Sequence, residues 1–145
     1  ELVQLMAKSG CKQISLGFES GSEQVLKNLN KRFSQEDIRT VSNMFADYGI
    51  ERTGFLLLGG PGETQKTVEE SLEFADSMKL DFLKLTIGIR IYPDTKLSEI
   101  AREQGIIRQD DNLLYPAFYL SPELDKQWLT KRVEDFKISR PNVLI

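Results

Sequence analysis

Hydrophobic and polar positions along the chain alternate between two periods. From Gln13 to Glu19 apolar and polar residues strictly alternate, Ile14, Leu16 and Phe18 against Gln13, Ser15, Gly17 and Glu19, which is the pattern of a strand. Arg52–Gly59 and Phe82–Arg90 read as two further strands, with Leu83, Leu85, Ile87 and Ile89 opposing Phe82, Lys84, Thr86, Gly88 and Arg90. Between them the period lengthens to that of helices. Val25–Asn30 and Ile38–Tyr48 form two helical pieces, the second with a capping box from Ser34 to Asp37 and an apolar stripe of Ile38, Val41, Phe45 and Tyr48. Thr64 caps a helix whose stripe is Val68, Leu72, Ala75 and Met78. The opening Glu1–Lys8 reads as a helix already under way that stops at Gly10. After Tyr92-Pro93-Asp94-Thr95 a short helix ends at Gln104-Gly105, and Ile106–Leu120 has no clear period. Ser121-Pro122-Glu123 is expected to start a last helix, Ser as N-cap and Pro at N1, running to about Ile138.

Strand and helix in turn predict an α/β fold of parallel βα units. Parallel strands covered on both faces usually read as continuous apolar runs. These strands carry one apolar face and one face of small, polar and charged groups. A sheet with one solvated face would give that pattern, and so would a barrel whose lumen is kept polar for a ligand. Three strands do not close a barrel, so the second alternative goes with a chain cut from a longer protein.

Composition narrows the function classes. The 145 residues suit one domain, and a net charge of −3 argues against a nucleic-acid duplex or an anionic membrane as the main partner. No apolar run approaches the roughly 18–20 residues that span a bilayer. One cysteine and no signal-peptide pattern make a cytoplasmic setting the expectation. The chain has no histidine, which removes imidazole as base, triad member or metal ligand.

Two motifs lie at strand ends, where active sites of βα folds sit. Gly17-Phe18-Glu19-Ser20-Gly21 ends the first strand. Glu19 there can accept hydrogen bonds from an amine or ribose, while Ser20 or Ser22 is either a plain N-cap or a ligand contact. Gly59-Gly60-Pro61-Gly62-Glu63-Thr64 follows the second strand. Its glycines and the helix start offer N–H groups to an anion, although it lacks the Gly-Lys-Ser/Thr of a Walker loop. Glu63 is expected to be a first-turn acid complementing the helix dipole. Lys84 and Arg90, on one inferred face with Glu19 near its end, suit a zwitterionic ligand, and structural ion pairing would give the same pattern. Cys11 is expected to be a small buried residue, and Trp128, Tyr115, Phe118 and Tyr119 to be packing residues.

Taken together and in order, these motifs are a family resemblance. Gly17-Phe18-Glu19-Ser20-Gly21-Ser22-Glu23 with Val25-Leu26-Lys27 and Asn30-Lys31 resembles the fourth βα unit of radical S-adenosylmethionine (SAM) enzymes. Phe55–Thr64 is similar to their fifth strand and loop, and Tyr92-Pro93-Asp94-Thr95 to their Tyr-Pro-Gly-Thr turn, with Asp94 where Gly is usual. The stretch from Asp110 to Glu123 resembles the subgroup with an N-terminal cobalamin-binding domain, which includes proteins similar to the anaerobic magnesium-protoporphyrin monomethyl ester cyclase. The resemblance implies the second half of an incomplete (β/α)6 TIM-like barrel over residues 1–107, units 4 to 6, and a C-terminal helical extension over residues 108–145. It implies a parent that cleaves SAM reductively at a [4Fe–4S] cluster to a 5′-deoxyadenosyl radical, and that uses cobalamin if the subgroup holds. Positions matching the family's SAM contacts are Glu19 and Ser20 for polar groups, Leu57 and Gly59 near adenine, and Lys31 for the carboxylate; Arg90 faces SAM or substrate. The chain has no CxxxCxxC, so it is expected to be inert alone, with its missing N-terminal half, a small-molecule substrate and a second copy of itself as partners. The competing readings are a small βα module binding a phosphate-bearing ligand through the Gly-Pro-Gly loop, and a structural domain whose polar sheet face is simply wet.

Overall fold

The computed structural model describes all 145 residues. Its elements in chain order are α1 (Leu2–Lys8), β1 (Gln13–Glu19), α2 (Glu23–Asn28), α3 (Gln35–Asp47), β2 (Glu51–Leu58), α4 (Gln65–Ser77), β3 (Phe82–Ile87), β4 (Ile89–Ile91), α5 (Lys96–Glu103), β5 (Ala117–Tyr119), α6 (Lys126–Ile138) and β6 (Val143–Leu144). The main sheet is parallel throughout, in the order β1-β2-β3-β6. A second, two-stranded ribbon pairs β4 with β5 antiparallel.

All three expected strands form, and their alternation divides the sheet as anticipated. Phe18, Leu56, Leu58, Leu83 and Leu85 point to the helical side and join Leu26, Ile38, Val68, Leu72, Leu129, Val133 and Phe136 in one apolar cluster. The opposite face carries Gln13, Ser15, Thr53, Phe55, Phe82 and Lys84, which line an open groove with Leu144. No helix covers that face. Burial of the first face supplies the main driving force, about 25 cal/mol for each Å² of apolar surface.

Four expectations are corrected. The strand expected to run from Phe82 to Arg90 breaks at Gly88, whose φ of 81° turns the chain out of the sheet after its N–H closes on the Leu58 carbonyl at 2.7 Å. Arg90 therefore leaves the row of Lys84 and belongs to the ribbon, opposite Phe118. The stretch without period contains β5, too short for alternation to show. The last helix starts at Lys126 under an Asp125 cap, whose carboxylate accepts the Trp128 N–H at 2.7 Å. Ser121 opens only a turn, its carbonyl accepting the Leu124 N–H at 3.0 Å, while its own N–H donates to the Gly59 carbonyl at 2.9 Å and ties the chain there to the sheet end. Finally, the buried stripe of α3 keeps Ile38 and Phe45 as expected but takes Ser42 in place of Val41, leaving Val41 and Tyr48 on the surface.

The capping box of Ser34 and Asp37 forms, and the Ser34 N–H holds the Asp37 carboxyl below the usual carboxylate range. The α4 stripe of Val68, Leu72, Ala75 and Met78 is buried throughout. A second apolar cluster, Ile91, Ala101, Ile107, Leu113 and Tyr119, joins the ribbon to α5 and runs across residue 107. A third, Val3, Phe45 and Ile50, ties α1 to the start of the sheet, with Cys11 partly buried against it.

Candidate functional site

The carboxyl ends of β1 and β2 lie side by side. At the first, the sheet register shifts between Leu16 and Glu19, and Glu19 adopts a φ of 67°. A left-handed backbone at a non-glycine residue costs of order 1–3 kcal/mol and recurs at ligand sites. Its consequence here is that the Glu19 carboxylate folds back over the open face. A Cβ placed on Gly17 would lie 3.2 Å from Glu19 Oε1, so glycine at that position leaves the carboxylate its room. Lys31, just beyond α2, brings Nζ to 3.4 Å from the same oxygen. The pair is partly exposed and holds opposite charges at one rim of the open face.

Ser20 is turned the other way. Its hydroxyl is fully buried, 2.9 Å from the hydroxyl of Ser71 on α4, and it accepts the Ser22 N–H at 3.1 Å. The Gly21 N–H donates to Ser71 at 3.0 Å, and a Cβ on Gly21 would collide with Phe74 and the α4 backbone. Ser20, Gly21 and Ser71 thus lock the turn that sets Glu19. Ser22 occupies the N-cap position of α2, but its side chain makes no capping bond.

On β2, Leu57 is half-buried on the open face, level with Thr86 of β3. Gly59 follows with a φ of 104°, and a Cβ there would strike Leu120. The segment after β5 accordingly crosses over the strand end at Gly59. Arg90 stands apart on the ribbon, its guanidinium 4.9 Å from the centroid of the Tyr92 ring. Glu19 and Lys31 are brought into contact, Leu57 and Gly59 lie on the neighbouring strand end, and Ser20 and Arg90 point elsewhere.

The glycine loop holds a residue whose part the sequence concealed. Glu63 is not an exposed first-turn acid. It precedes the Thr64 cap, is fully buried, and Oε2 accepts the N–H groups of Gly59 and Gly60, the latter at 2.9 Å. Oε1 has no hydrogen-bond partner. Burial pushes the carboxyl up to about 7 against the pull of the two N–H groups. The loop's anion-binding amides are therefore already taken by the chain's own carboxylate. The one hint in the sequence is the spacing, an acid three residues after a Gly-Gly pair.

Of the aromatic residues, Tyr119 packs as expected, buried with its hydroxyl donating to Gln104 Oε1 at 2.8 Å, and Trp128 packs against the main core. Phe118 and Tyr115 do not, being 56% and 82% exposed. For a [4Fe–4S] cluster the donor set does not fit: the chain has one cysteine, no histidine, and no group of three potential metal ligands.

Comparison with known proteins agrees with the motifs. Residues 1–75 match the model of the radical SAM superfamily, and the chain belongs to that family. It is 32% identical over 139 residues to the ribosomal protein uS12 methylthiotransferase RimO of Pelotomaculum thermopropionicum, covering 92% of this chain and 30% of that protein. It is 23% identical over 137 residues to the bacteriochlorophyllide d C-12(1)-methyltransferase of Chlorobaculum tepidum, covering 94% of this chain and 29% of the other. The fold is that of the radical SAM methyltransferase TsrM from Kitasatospora setae, with a TM-score of 0.81, 18% identity, and 99% of this chain laid on 35% of that one. TsrM structures contain cobalamin and a [4Fe–4S] cluster, or tryptophan substrate and the SAM analogue aza-SAM. The chain spans about a quarter to a third of the length of the relatives it matches. No helix is long and apolar enough to cross a membrane.

Proposed function

We propose that this chain is the second half of a radical SAM catalytic barrel, units 4 to 6 over residues 1–107, with residues 108–145 as an extension folded back onto it. The observation that carries this is the uncovered polar face of a parallel sheet whose far face is packed with helices. A sheet of this kind is completed when its open face becomes a lumen. The free edge of β1 supports the same reading, since it exposes unpaired backbone groups beside an apolar groove lined by Leu16, Phe18, Phe33, Ile38 and Val41.

Within that lumen Glu19 and Lys31 hold the charged amino-acid end of SAM, the carboxylate receiving the ammonium and the lysine the carboxyl group. Leu57 gives an apolar wall for the adenine and Gly59 a close backbone approach to it. Ser20 serves by fixing the turn through Ser71 rather than by touching the ligand. Arg90 faces the substrate side. When cleaved at its cluster, SAM supplies a radical; this chain's residues bind and orient it, and the thiolates that hold the cluster belong to the missing half. Cobalamin and a small-molecule substrate are assigned to the parent on the same ground.

The test is titration of the chain with SAM, followed by a cleavage assay under strong reduction. Weak binding that Glu19→Gln lowers by about tenfold, an ion pair's share, together with no 5′-deoxyadenosine, is expected. Cleavage by this chain alone would overturn the proposal, as would binding indifferent to Glu19.

A further inference from the structure

We propose that Arg90, Tyr92 and Phe118 form a recognition platform for a planar aromatic carboxylate, the substrate class of the parent. The inference rests on reading the carboxyl end of the sheet as the reaction side. Three observations place the platform there. Phe118 lies directly opposite Arg90 in the ribbon, so both side chains project from one face, while Ile89, Ile91 and Tyr119 occupy the other. Phe118 begins where the open face of the sheet ends, since a Cβ on Gly88 would lie 3.5 Å from Phe118 Cβ. A Cβ on Gly88 would also lie 3.3 Å from the Tyr119 carbonyl oxygen, so glycine at the end of β3 lets β5 lie close against it. The Tyr92 ring centroid lies 4.9 Å from the same guanidinium.

The chemistry of this face is unspent. Arg52, Arg108, Arg132 and Arg140 each pair with a carboxylate, whereas Arg32, Arg39, Arg90 and Arg102 do not, and of these four Arg90 is the one that is both exposed and set beside an aromatic ring. Phe118 and Tyr92 keep 56% and 54% of their surface in water. A planar guanidinium without an anion calls for a carboxylate, which it grips with two parallel hydrogen bonds. Rings beside it call for a flat apolar body stacked at offset. One guanidinium and the rings beside it match the size and charge of a small planar anion.

The probe is 2-naphthoate, titrated into the full chain without SAM or reductant, so the result is independent of radical chemistry. Saturable binding near millimolar is expected for so small a ligand. It should weaken about tenfold in Arg90→Gln and in Phe118→Ala, and recover in Phe118→Trp, each charge or ring contact being worth about one decade. Uncharged 2-naphthamide and the saturated, non-planar cyclohexanecarboxylate should each bind about tenfold less tightly. Both mutated positions are exposed, and unchanged thermal melts confirm that the fold is kept. Equal binding of the three probes, indifference to both variants, or no saturable binding overturns the assignment. So does binding that fades as a dimer forms with rising protein concentration, which would give the face to a second copy.

Discussion

Glu63 is a carboxyl group with nowhere to put its charge. Unfolded, it loses its proton near 4.5; folded, it keeps the proton to about 7. A carboxyl raised in this way contributes stability that is present in full below the unfolded value and is lost as pH climbs through the folded one. The expected linked loss is about 3 kcal/mol at mildly alkaline pH relative to pH 4. With no histidine in the chain, little else titrates in that window. Urea midpoints measured from pH 5 to 8 should fall for the natural chain and stay level for Glu63→Gln, which keeps an acceptor for the two glycine N–H groups without the charge. Gly17→Ala is the second residue-scale case. A methyl 3.2 Å from Glu19 Oε1 forces the carboxylate aside, so SAM affinity should drop severalfold by calorimetry while the melt moves little. The place of Glu19 at a strand end was readable from the alternation of Gln13–Glu19. Its left-handed backbone and the role of Gly17 were not, because both follow from a register shift that depends on β2. Glu63 was misread for a related reason, since local position said helix dipole and burial said otherwise.

At the scale of elements, helices and long strands were readable because each shows several repeats of its own period. The failures concern short pieces and boundaries. β5 and β6 have three and two residues, too few to alternate, and both exist through partners distant in sequence. The start of α6 shows local chemistry losing to tertiary structure. Ser121-Pro122 is a sound helix opening, yet the segment tied to Gly59 closes only a turn back to Leu124, and the cap falls to Asp125. Asp125→Ala should accordingly cost about 1 kcal/mol, the usual worth of a cap, and Ser121→Ala should leave α6 intact; chemical denaturation separates the two. The paired hydroxyls of Ser20 and Ser71 tie β1's turn to α4. Ser71→Ala should leave the Gly21 N–H without its acceptor and the buried Ser20 hydroxyl with the Ser22 N–H alone, costing about 1–3 kcal/mol.

For the whole molecule, the polar face and the bare β1 edge give the same expectation. An isolated copy should seek a strand, and sedimentation over a wide concentration range should show reversible association. A monomer throughout would mean that the edge is too twisted or too charged to pair. Fold class was legible in the sequence from the alternation of periods and the one-sided strands. The extension's place over the strand ends was not, for it is set by single contacts such as Leu120 against Gly59.

The two margins of the main sheet are unequal. On the β3 side Val143 and Leu144 supply β6, which pairs with β3 only at Leu83 and Lys84 and so covers part of that margin. On the β1 side the whole of Gln13–Glu19 stands without a neighbour. The longer bare margin is the stronger template, so an added strand, from a second copy or from the rest of a parent barrel, is expected to settle there first.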